Sequence, residues 1–272
     1  YGGILRNKKG EDFMLRYDSR GSLAPRDIVA RSIDTEMKLT GEDHVYLDVT
    51  HKDPEETKKH FPNIYQKCLS IGIDITKEYI PVCPASHYLC GGIKVDENAR
   101  TTINHLYAAG ECTRTGLHGG NRLASNSLLE AIVYAEAAAQ HSLPLIDNIN
   151  WCDEIPEWND EGTTLNEEMV LITQSEKEVN QIMQAYVGIV RSNLRLKRAF
   201  DRLELIYKET ESLFQRSVVS KEICELRNIV NTAYLVIKSA MQRKESRGLH
   251  YTIDYPKKNE HISLYDVEEL KK

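Results

Sequence analysis

Residues 116–131 read GLHGGNRLASNSLLEA, a glycine-rich polar loop that runs directly into an apolar, helix-like segment. Gly116, Gly119 and Gly120 would let the backbone approach a ligand closely. The start of the following helix would present unpaired N–H groups and favour negative charge. The pattern has two interpretations. It is either a tight turn with incidental polar residues, or a site in which Arg122 and a helix N-terminus hold an anion.

The segments around this loop predict an α+β region followed by a helical one. Residues 87–147 read as strand, turn, strand and helix, with a short apolar strand at Leu106–Ala109. Residues 125–143 are apolar all round, which predicts a buried helix. Residues 147–164 read as a linker. Beyond them, three apolar stripes at helical spacing predict a small antiparallel bundle: Met183, Val187, Val190 and Leu194; Leu196, Phe200, Leu203 and Tyr207; Ile223, Leu226, Val230, Ala233, Ile237 and Ala240.

The region before the loop, residues 1 to about 86, mixes short strands with helices. A strand and turn are expected at residues 4–14, and Pro25 is placed to open a helix from Arg26 to Met37. Residues 44–50 alternate as a strand does. Residues 54–71 read as helical with a break at Pro62. The chain opens without Met, and we expect it to be a fragment of something longer.

Bulk composition excludes several classes of protein. A hydrophobic content of 41% and a charged content of 28% fit a soluble globular protein. The net charge of −6, without a basic stripe, argues against nucleic-acid binding. No apolar run approaches the roughly 20 residues that span a bilayer. The cysteines form no C-x-x-C pair, so we expect no zinc site and free thiols in a reducing cytoplasm: Cys68, Cys83, Cys90, Cys112, Cys152 and Cys224.

Two polar residues near the loop are candidate ligand contacts. Glu111 comes just after the expected strand, where an acid can accept hydrogen bonds from ribose or ribityl hydroxyls. It can also be a solvated loop acid. Arg122 offers a planar fork matched to a carboxylate. The alternative is an arginine that ties down loop carbonyls.

Two further cations have similarly open interpretations. His87 lies between Pro84 and a Gly-Gly pair and is either a catalytic or a structural histidine. Arg26 lies at a helix start, where the dipole disfavours a cation. An anionic ligand would explain that conflict, and so would Asp27 as an ion-pair partner.

Several motifs resemble the flavoprotein subunits of the succinate dehydrogenase and fumarate reductase family. They are LAPRDIVAR, HYLCGGI, LYAAGE, TGLHGGNRLASNSLLEA and, near the end, ESRGLHYTIDYP. The resemblance runs from Gly2 to about Pro256. LASNSLLEA, the cysteine in HYLCGG and the short helical end favour the aspartate-oxidising branch over the dehydrogenases.

The resemblance implies an α+β/α multi-domain fragment that binds FAD. Residues 1–86 would be part of the capping domain, 87–147 the returning segment of the FAD-binding α/β domain, and 148–272 a linker and a C-terminal three-helix bundle. No G-x-G-x-x-G motif occurs, so the FAD-binding Rossmann half would be missing and the isolated fragment inactive. An alternative is a folded piece without catalysis.

The resemblance also implies roles for individual residues. Arg26 would move the proton at the substrate carbon. This role requires a crowded positive site, since a free arginine has a pKa above about 12. His87 and Arg122 would bind the substrate carboxylates. The cofactor contacts would be Glu111, on the ribityl or ribose hydroxyls, and the backbone of Ser127 and Leu128 at the flavin pyrimidine edge.

The implied reaction is oxidation of L-aspartate to iminoaspartate in the cytoplasm. Reduced FAD would be reoxidised by oxygen or fumarate. The reaction would start NAD biosynthesis, and quinolinate synthase would use the product. A fumarate reductase or succinate dehydrogenase flavoprotein, acting on an unaminated dicarboxylate, is the alternative within the family.

Overall fold

A computed structural model describes residues 1–150, 152, 154–165 and 168–259. The chain forms two compact units, Tyr1–His87 and Tyr88–Lys272. The predicted division into capping, FAD-binding and helical domains is a separate matter and stays a prediction.

The first unit is built on a three-stranded antiparallel sheet in the order β1 (Ile4–Arg6), β2 (Val45–Asp48) and β3 (Ile80–Val82). Leu5 lies opposite Leu47, and Tyr46 lies opposite Pro81. The predicted strands in this region are confirmed. Helix α1 (Arg26–Thr40) follows Pro25, which is the N-cap residue and not the first helical one. The core combines both elements: Leu5, Phe13, Met14, Ala24, Val29, Ile33 and Val45.

Two short helices complete the first unit. The side chain of Asp53 accepts a hydrogen bond from the Glu56 N–H at 2.9 Å and caps α2 (Pro54–His60). Helix α3 (Pro62–Ser70) follows after one residue. The break predicted at Pro62 is confirmed, because proline has no N–H to continue the α2 ladder.

The second unit begins with a two-stranded parallel sheet of β4 (Ile93–Lys94) and β5 (Thr113–Arg114). The strand predicted at Leu106–Ala109 is wrong. In that segment only Tyr107 makes an isolated bridge, to Arg100. The segment forms backbone hydrogen bonds with residues just before it in the chain. The Ala108 N–H donates to the Ala99 oxygen, and the Thr101 N–H donates to the Leu106 oxygen. The segment therefore forms a local loop, and the strand that pairs with β4 is β5, which comes later in the chain.

Helix α4 (Asn126–Ile146) is confirmed as a helix, but the prediction that it is buried is wrong. Leu128 is 72% exposed, and Leu129, Ile132 and Val133 are also exposed. Glu130 is its one buried residue in the described structure. Within the second unit no described helix or strand packs along α4 extensively, so its apolar side chains have nothing to cover them.

The C-terminal bundle consists of α5 (Met169–Ile182), α6 (Asn193–Arg216) and α7 (Lys221–Gln242). The helices predicted from the second and third stripes are confirmed. The helix predicted from the first stripe is wrong, since Met183–Val187 forms a single π-helical turn that stops at Gly188. A Cβ at Gly188 would lie 2.7 Å from the Gln184 oxygen, so this close turn requires glycine. The core is formed by all three helices: Ile172, Val179, Ile182, Leu196, Ala199, Leu203, Ile206, Leu213, Ile223, Leu226, Val230, Ala233, Ile237 and Ala240. Every helix in the described ranges is too short or too polar to cross a bilayer.

Candidate functional site

Arg26 is the first residue of α1, in the first unit, and its side chain turns back over the preceding turn. Its Nη2 donates to the carbonyl oxygens of Ser22 at 3.1 Å and Ala24 at 3.4 Å. Asp27 faces Arg31 instead, at 3.8 Å. The Arg26–Asp27 ion pair, one of the two explanations offered for a cation at this helix start, is therefore absent. The two carbonyl oxygens offset the unfavourable interaction between the Arg26 charge and the positive end of the helix dipole. The guanidinium is exposed, and its other N–H groups are available to a ligand.

His87 is the last residue of the first unit. It is exposed, and the described residues supply no hydrogen-bond partner for its ring. Its imidazole is accessible to a ligand.

Arg122, in the second unit, is held in place by a ring and a hydroxyl. Its guanidinium carbon lies 4.1 Å from the centre of the Tyr88 ring. Nη1 donates to the Ser127 hydroxyl and, over 3.4 Å, to the Ala124 oxygen. The hydrogen bond to the Ala124 carbonyl agrees with the alternative in which Arg122 only binds loop carbonyls. At 3.4 Å it is long, so the agreement is partial. Nowhere in the described chain does a carboxylate pair with Arg122, so its charge is not neutralised.

Behind Arg122 lies a buried acid–base pair that the sequence interpretation missed. His118 Nε2 is 2.7 Å from Glu130 Oε2, and both side chains are almost fully buried. The Thr115 hydroxyl donates to the other Glu130 oxygen. Glu130 is an acid in an otherwise apolar helical run, and a buried carboxylate needs a partner. That was the signal available in the sequence.

This buried pair is not satisfied completely. Within the described structure, His118 Nδ1 has no hydrogen-bond partner, whereas Glu130 Oε2 lies 2.7 Å from His118 Nε2. An unsatisfied buried polar atom costs about 1–3 kcal/mol. Such a cost calls for a compensating role.

The glycine loop is supported from the end of the chain. A Cβ at Gly248 would lie 2.1 Å from the Gly120 oxygen, and Leu249 donates its N–H to the same oxygen at 2.8 Å. Only glycine fits at Gly248, where φ is +59°. The neighbouring Glu245 is fully buried and accepts hydrogen bonds from Arg243 and Arg247. The ESRGLHY motif thus supports the loop that carries Arg122.

The predicted cofactor contacts surround the start of α4. The amides of a first helical turn have no carbonyl one turn back, and the Ser127 N–H reaches only the Ala124 oxygen, at 3.4 Å. Leu128 is exposed beside it. Glu111 is exposed and accepts one hydrogen bond, from the Leu89 N–H at 3.0 Å. Exposed amides and a carboxylate with spare acceptor capacity fit the polar edge and the hydroxyls of a flavin nucleotide.

The structure brings some predicted site residues together and leaves others in separate units. Arg122 and Ser127 are in direct contact in the second unit. Tyr88, which follows His87 in the chain, stacks on Arg122. Arg26 and His87 belong to the first unit. In the part of the chain that is described, no group of His, Cys, Asp and Glu side chains could hold a metal ion.

Comparisons with known proteins match almost the whole chain. Residues 1–128 match the FAD binding domain model, and residues 176–266 match the model described as fumarate reductase flavoprotein C-term. The L-aspartate oxidase of Pseudomonas aeruginosa is 52% identical over 255 residues, which are 94% of this chain and 47% of that protein. The L-aspartate oxidase of Acinetobacter baylyi is 51% identical over the same shares of both chains.

Solved structures agree with the sequence matches. A variant of the E. coli quinol fumarate reductase subunit FrdA superposes with a TM-score of 0.76 at 26% identity, covering 96% of this chain and 50% of that one. The chain spans about half the length of the curated relatives it matches. FAD is the cofactor of the family whose model matches residues 1–128. Over almost its whole length the chain is therefore similar to flavoproteins of the fumarate reductase type, and over 94% of its length it is similar to L-aspartate oxidases at about 50% identity.

Proposed function

We propose that this chain forms part of an FAD-dependent L-aspartate oxidase, which converts L-aspartate to iminoaspartate. The observation that carries the proposal is Arg122. Its guanidinium is held by Tyr88 and Ser127, and the described residues provide no acid to neutralise it. An arginine presented in this way binds carboxylates through paired N–H donors. Similarity to the L-aspartate oxidases over 94% of the chain supports the choice of substrate.

The substrate is a dicarboxylate with two negative charges, so it needs two cationic or donor groups. Arg122 binds one carboxylate and His87 binds the other. The exposed His87 ring, without a partner among the described residues, supports its part in this clamp. Both residues act by orienting the substrate Cα–H bond, which is the bond that breaks.

Arg26 is proposed to move the proton at the substrate carbon, namely the proton of the amino group bonded to Cα, because the single hydrogen of Cα itself leaves as hydride. The Ser22 and Ala24 carbonyls hold its Nη2 and leave the other guanidinium nitrogens available. The chemistry that FAD would supply when bound is acceptance of the hydride removed from Cα, with oxygen or fumarate as the final oxidant. Glu111 and the backbone of Ser127 and Leu128 are the residues that would hold FAD.

The place of the reaction in metabolism is also a proposal. Iminoaspartate would enter NAD biosynthesis in the cytoplasm, with quinolinate synthase as the enzyme that consumes it. We expect the chain by itself, which spans about half the length of its relatives, to show no turnover.

A second candidate is a fumarate reductase or succinate dehydrogenase flavoprotein. The superposition on a fumarate reductase subunit, at a TM-score of 0.76, favours it. The same clamp would bind succinate or fumarate, which carry two carboxylates and no amine. The two candidates therefore differ in the substrate that reduces the flavin.

A chimera separates them. In it, this chain replaces the matching segment of the P. aeruginosa L-aspartate oxidase, and flavin absorbance is followed without oxygen. Bleaching by L-aspartate but not by succinate is the expected result. Bleaching by succinate alone would favour the second candidate, and a flavin-loaded chimera that neither compound bleaches would contradict both.

The clamp is tested by replacing Arg122 in the same chimera. Arg122→Leu should raise KM for L-aspartate roughly 10- to 150-fold, since a hydrogen bond to a charged group contributes about 1.5–3 kcal/mol. Arg122→Lys should recover part of this loss. Arg100→Leu is the control, because Arg100 is an exposed arginine already paired with Asp96. An unchanged KM in Arg122→Leu would refute the clamp.

A further inference from the structure

The buried pair of Glu130 and His118 has no part in the chemistry proposed above, although it lies directly behind the carboxylate-binding arginine. Glu130 is 1% exposed and His118 is 8% exposed at the side chain, and their closest atoms are 2.7 Å apart. Thr115 donates its hydroxyl to Glu130 from the loop side. The pair is thus a fixed charged element between α4 and the glycine loop.

Tyr88 connects this pair to Arg122. Its hydroxyl lies 3.4 Å from His118 Nε2, and the two rings meet edge to face with centres 5.3 Å apart. The face of the same ring carries the guanidinium of Arg122 at 4.1 Å. A displacement of His118 would therefore move the surface on which Arg122 rests.

The contacts close into a ring on helix α4. Arg122 contacts Ser127, and Ser127 and Glu130 are three residues apart, which places them on one face of the helix. Glu130 contacts His118, His118 contacts Tyr88, and Tyr88 returns to Arg122. Arg122 contacts Ser127 on one side and the Tyr88 ring on the other, so its guanidinium is held at two points.

We propose that Glu130 and His118 are positioning residues, which fix the Arg122 guanidinium through Tyr88 and thereby set the affinity of the site for a substrate carboxylate. The inference rests on the proposed dicarboxylate clamp. The buried His118 Nδ1, which has no hydrogen-bond partner among the described residues, supports it, because a purely structural histidine would be expected to have both ring nitrogens satisfied.

The test uses Glu130→Gln in the chimera. This variant keeps the shape of the side chain and removes its charge, so His118 loses the anion that holds it. KM for L-aspartate should rise roughly 2- to 30-fold, the range expected when a residue modulates a site without touching its ligand, and kcat should stay within about twofold. The dissociation constant of succinate, measured by flavin difference spectra, should rise by the same factor. Glu136→Gln is the control, an exposed acid on the same helix.

A double-mutant cycle distinguishes positioning from a general loss of structure. If Glu130 acts through Arg122, Glu130→Gln should have no further effect on KM in an Arg122→Leu background. Equal effects in both backgrounds would overturn the proposal. So would an unchanged KM and succinate affinity in Glu130→Gln alone.

A second variant keeps the test decisive if Glu130→Gln does not fold. Tyr88→Phe retains the stacked ring and removes only the hydroxyl next to His118. It should raise KM in the same direction but less, and the rise should again vanish with Arg122→Leu. The proposed function fails separately, when the unmodified chimera is not bleached by L-aspartate. The positioning role fails when the unmodified chimera is active and Tyr88→Phe leaves KM unchanged.

Discussion

Replacing Gly248 by alanine tests whether the end of the chain supports the glycine loop. The new Cβ would lie 2.1 Å from the Gly120 oxygen, which is backbone and cannot rotate away. The left-handed conformation costs an alanine about 1–2 kcal/mol. Displacing Gly120 would also break the 2.8 Å hydrogen bond from the Leu249 N–H, at about 1 kcal/mol. We expect Gly248→Ala to lower the free energy of unfolding of the chain by about 2–3 kcal/mol, measured by urea denaturation.

Gly119→Ala is the matched control. Gly119 lies in the same loop with φ of +56°, close to the +59° of Gly248, and a Cβ there would meet nothing within 4 Å. Both variants share the conformational strain, so their difference isolates the clash and the lost bond. Hydrogen exchange of the Leu249 N–H should accelerate only in Gly248→Ala. Equal destabilisation by the two variants, with Leu249 still protected, would refute the argument.

Two further predictions concern the C-terminal bundle. Ser192→Ala should lower the free energy of unfolding by about 1 kcal/mol in thermal or urea denaturation, because the Ser192 hydroxyl caps α6 through the Arg195 N–H at 3.2 Å; Ser175→Ala, which removes an exposed hydroxyl inside α5, should cost less. Burial, with the Arg191 charge adding to it, lowers the pKa of His250 from 6.5 to about 4. The unfolded chain therefore binds a proton that the folded chain does not, and stability should fall as pH drops from about 6.5 towards 4; His250→Asn should flatten this part of a stability–pH curve, and an unchanged slope would contradict the assignment.

Regular spacing made the bundle the most predictable part of the fold. The buried residues of α6 and α7 recur every three or four positions, nearly all of them are apolar, and each set lies inside one helix. The first stripe failed because the same spacing continued across Gly188, where the chain leaves the helix. Apolar spacing indicates which residues would share a face of a helix, but it does not indicate where the backbone leaves the helical conformation.

Helix α4 shows a different limit. Its composition predicted the helix correctly, but burial depends on what packs against a helix and not on the helix alone. The strand expected at Leu106–Ala109 failed for a related reason. An apolar run becomes a strand only where a neighbour offers a ladder, and the residues before this run offer a local loop instead.

At the candidate site, the sequence was a better guide to which residues matter than to which residues they contact. Arg122 was singled out by its place among glycines, and its contact with Ser127 agrees with a site at the helix start. Of the two explanations offered for Arg26, the ion pair with Asp27 does not form, because Asp27 faces Arg31 one turn along the helix. The pairing of His118 with Glu130 joins a loop to a helix, so it depends on the loop conformation that the motif alone does not specify.

The contact between Gly120 and Gly248 also bears on the order in which parts of the chain fold during synthesis. A ribosome delivers the chain from its N-terminus, so the glycine loop emerges long before the segment that supports it. The three helices of the bundle, α5, α6 and α7, lie between them and pack mostly on neighbours in sequence, α6 mainly on α7. The Gly120–Gly248 contact joins distant parts of the chain and has to wait for that bundle, since distant contacts carry the entropy cost of loop closure. The loop that bears Arg122 is thus expected to be among the last parts to reach its final form, and a nascent chain that stops before Gly248 would carry a folded bundle and a glycine loop without its support.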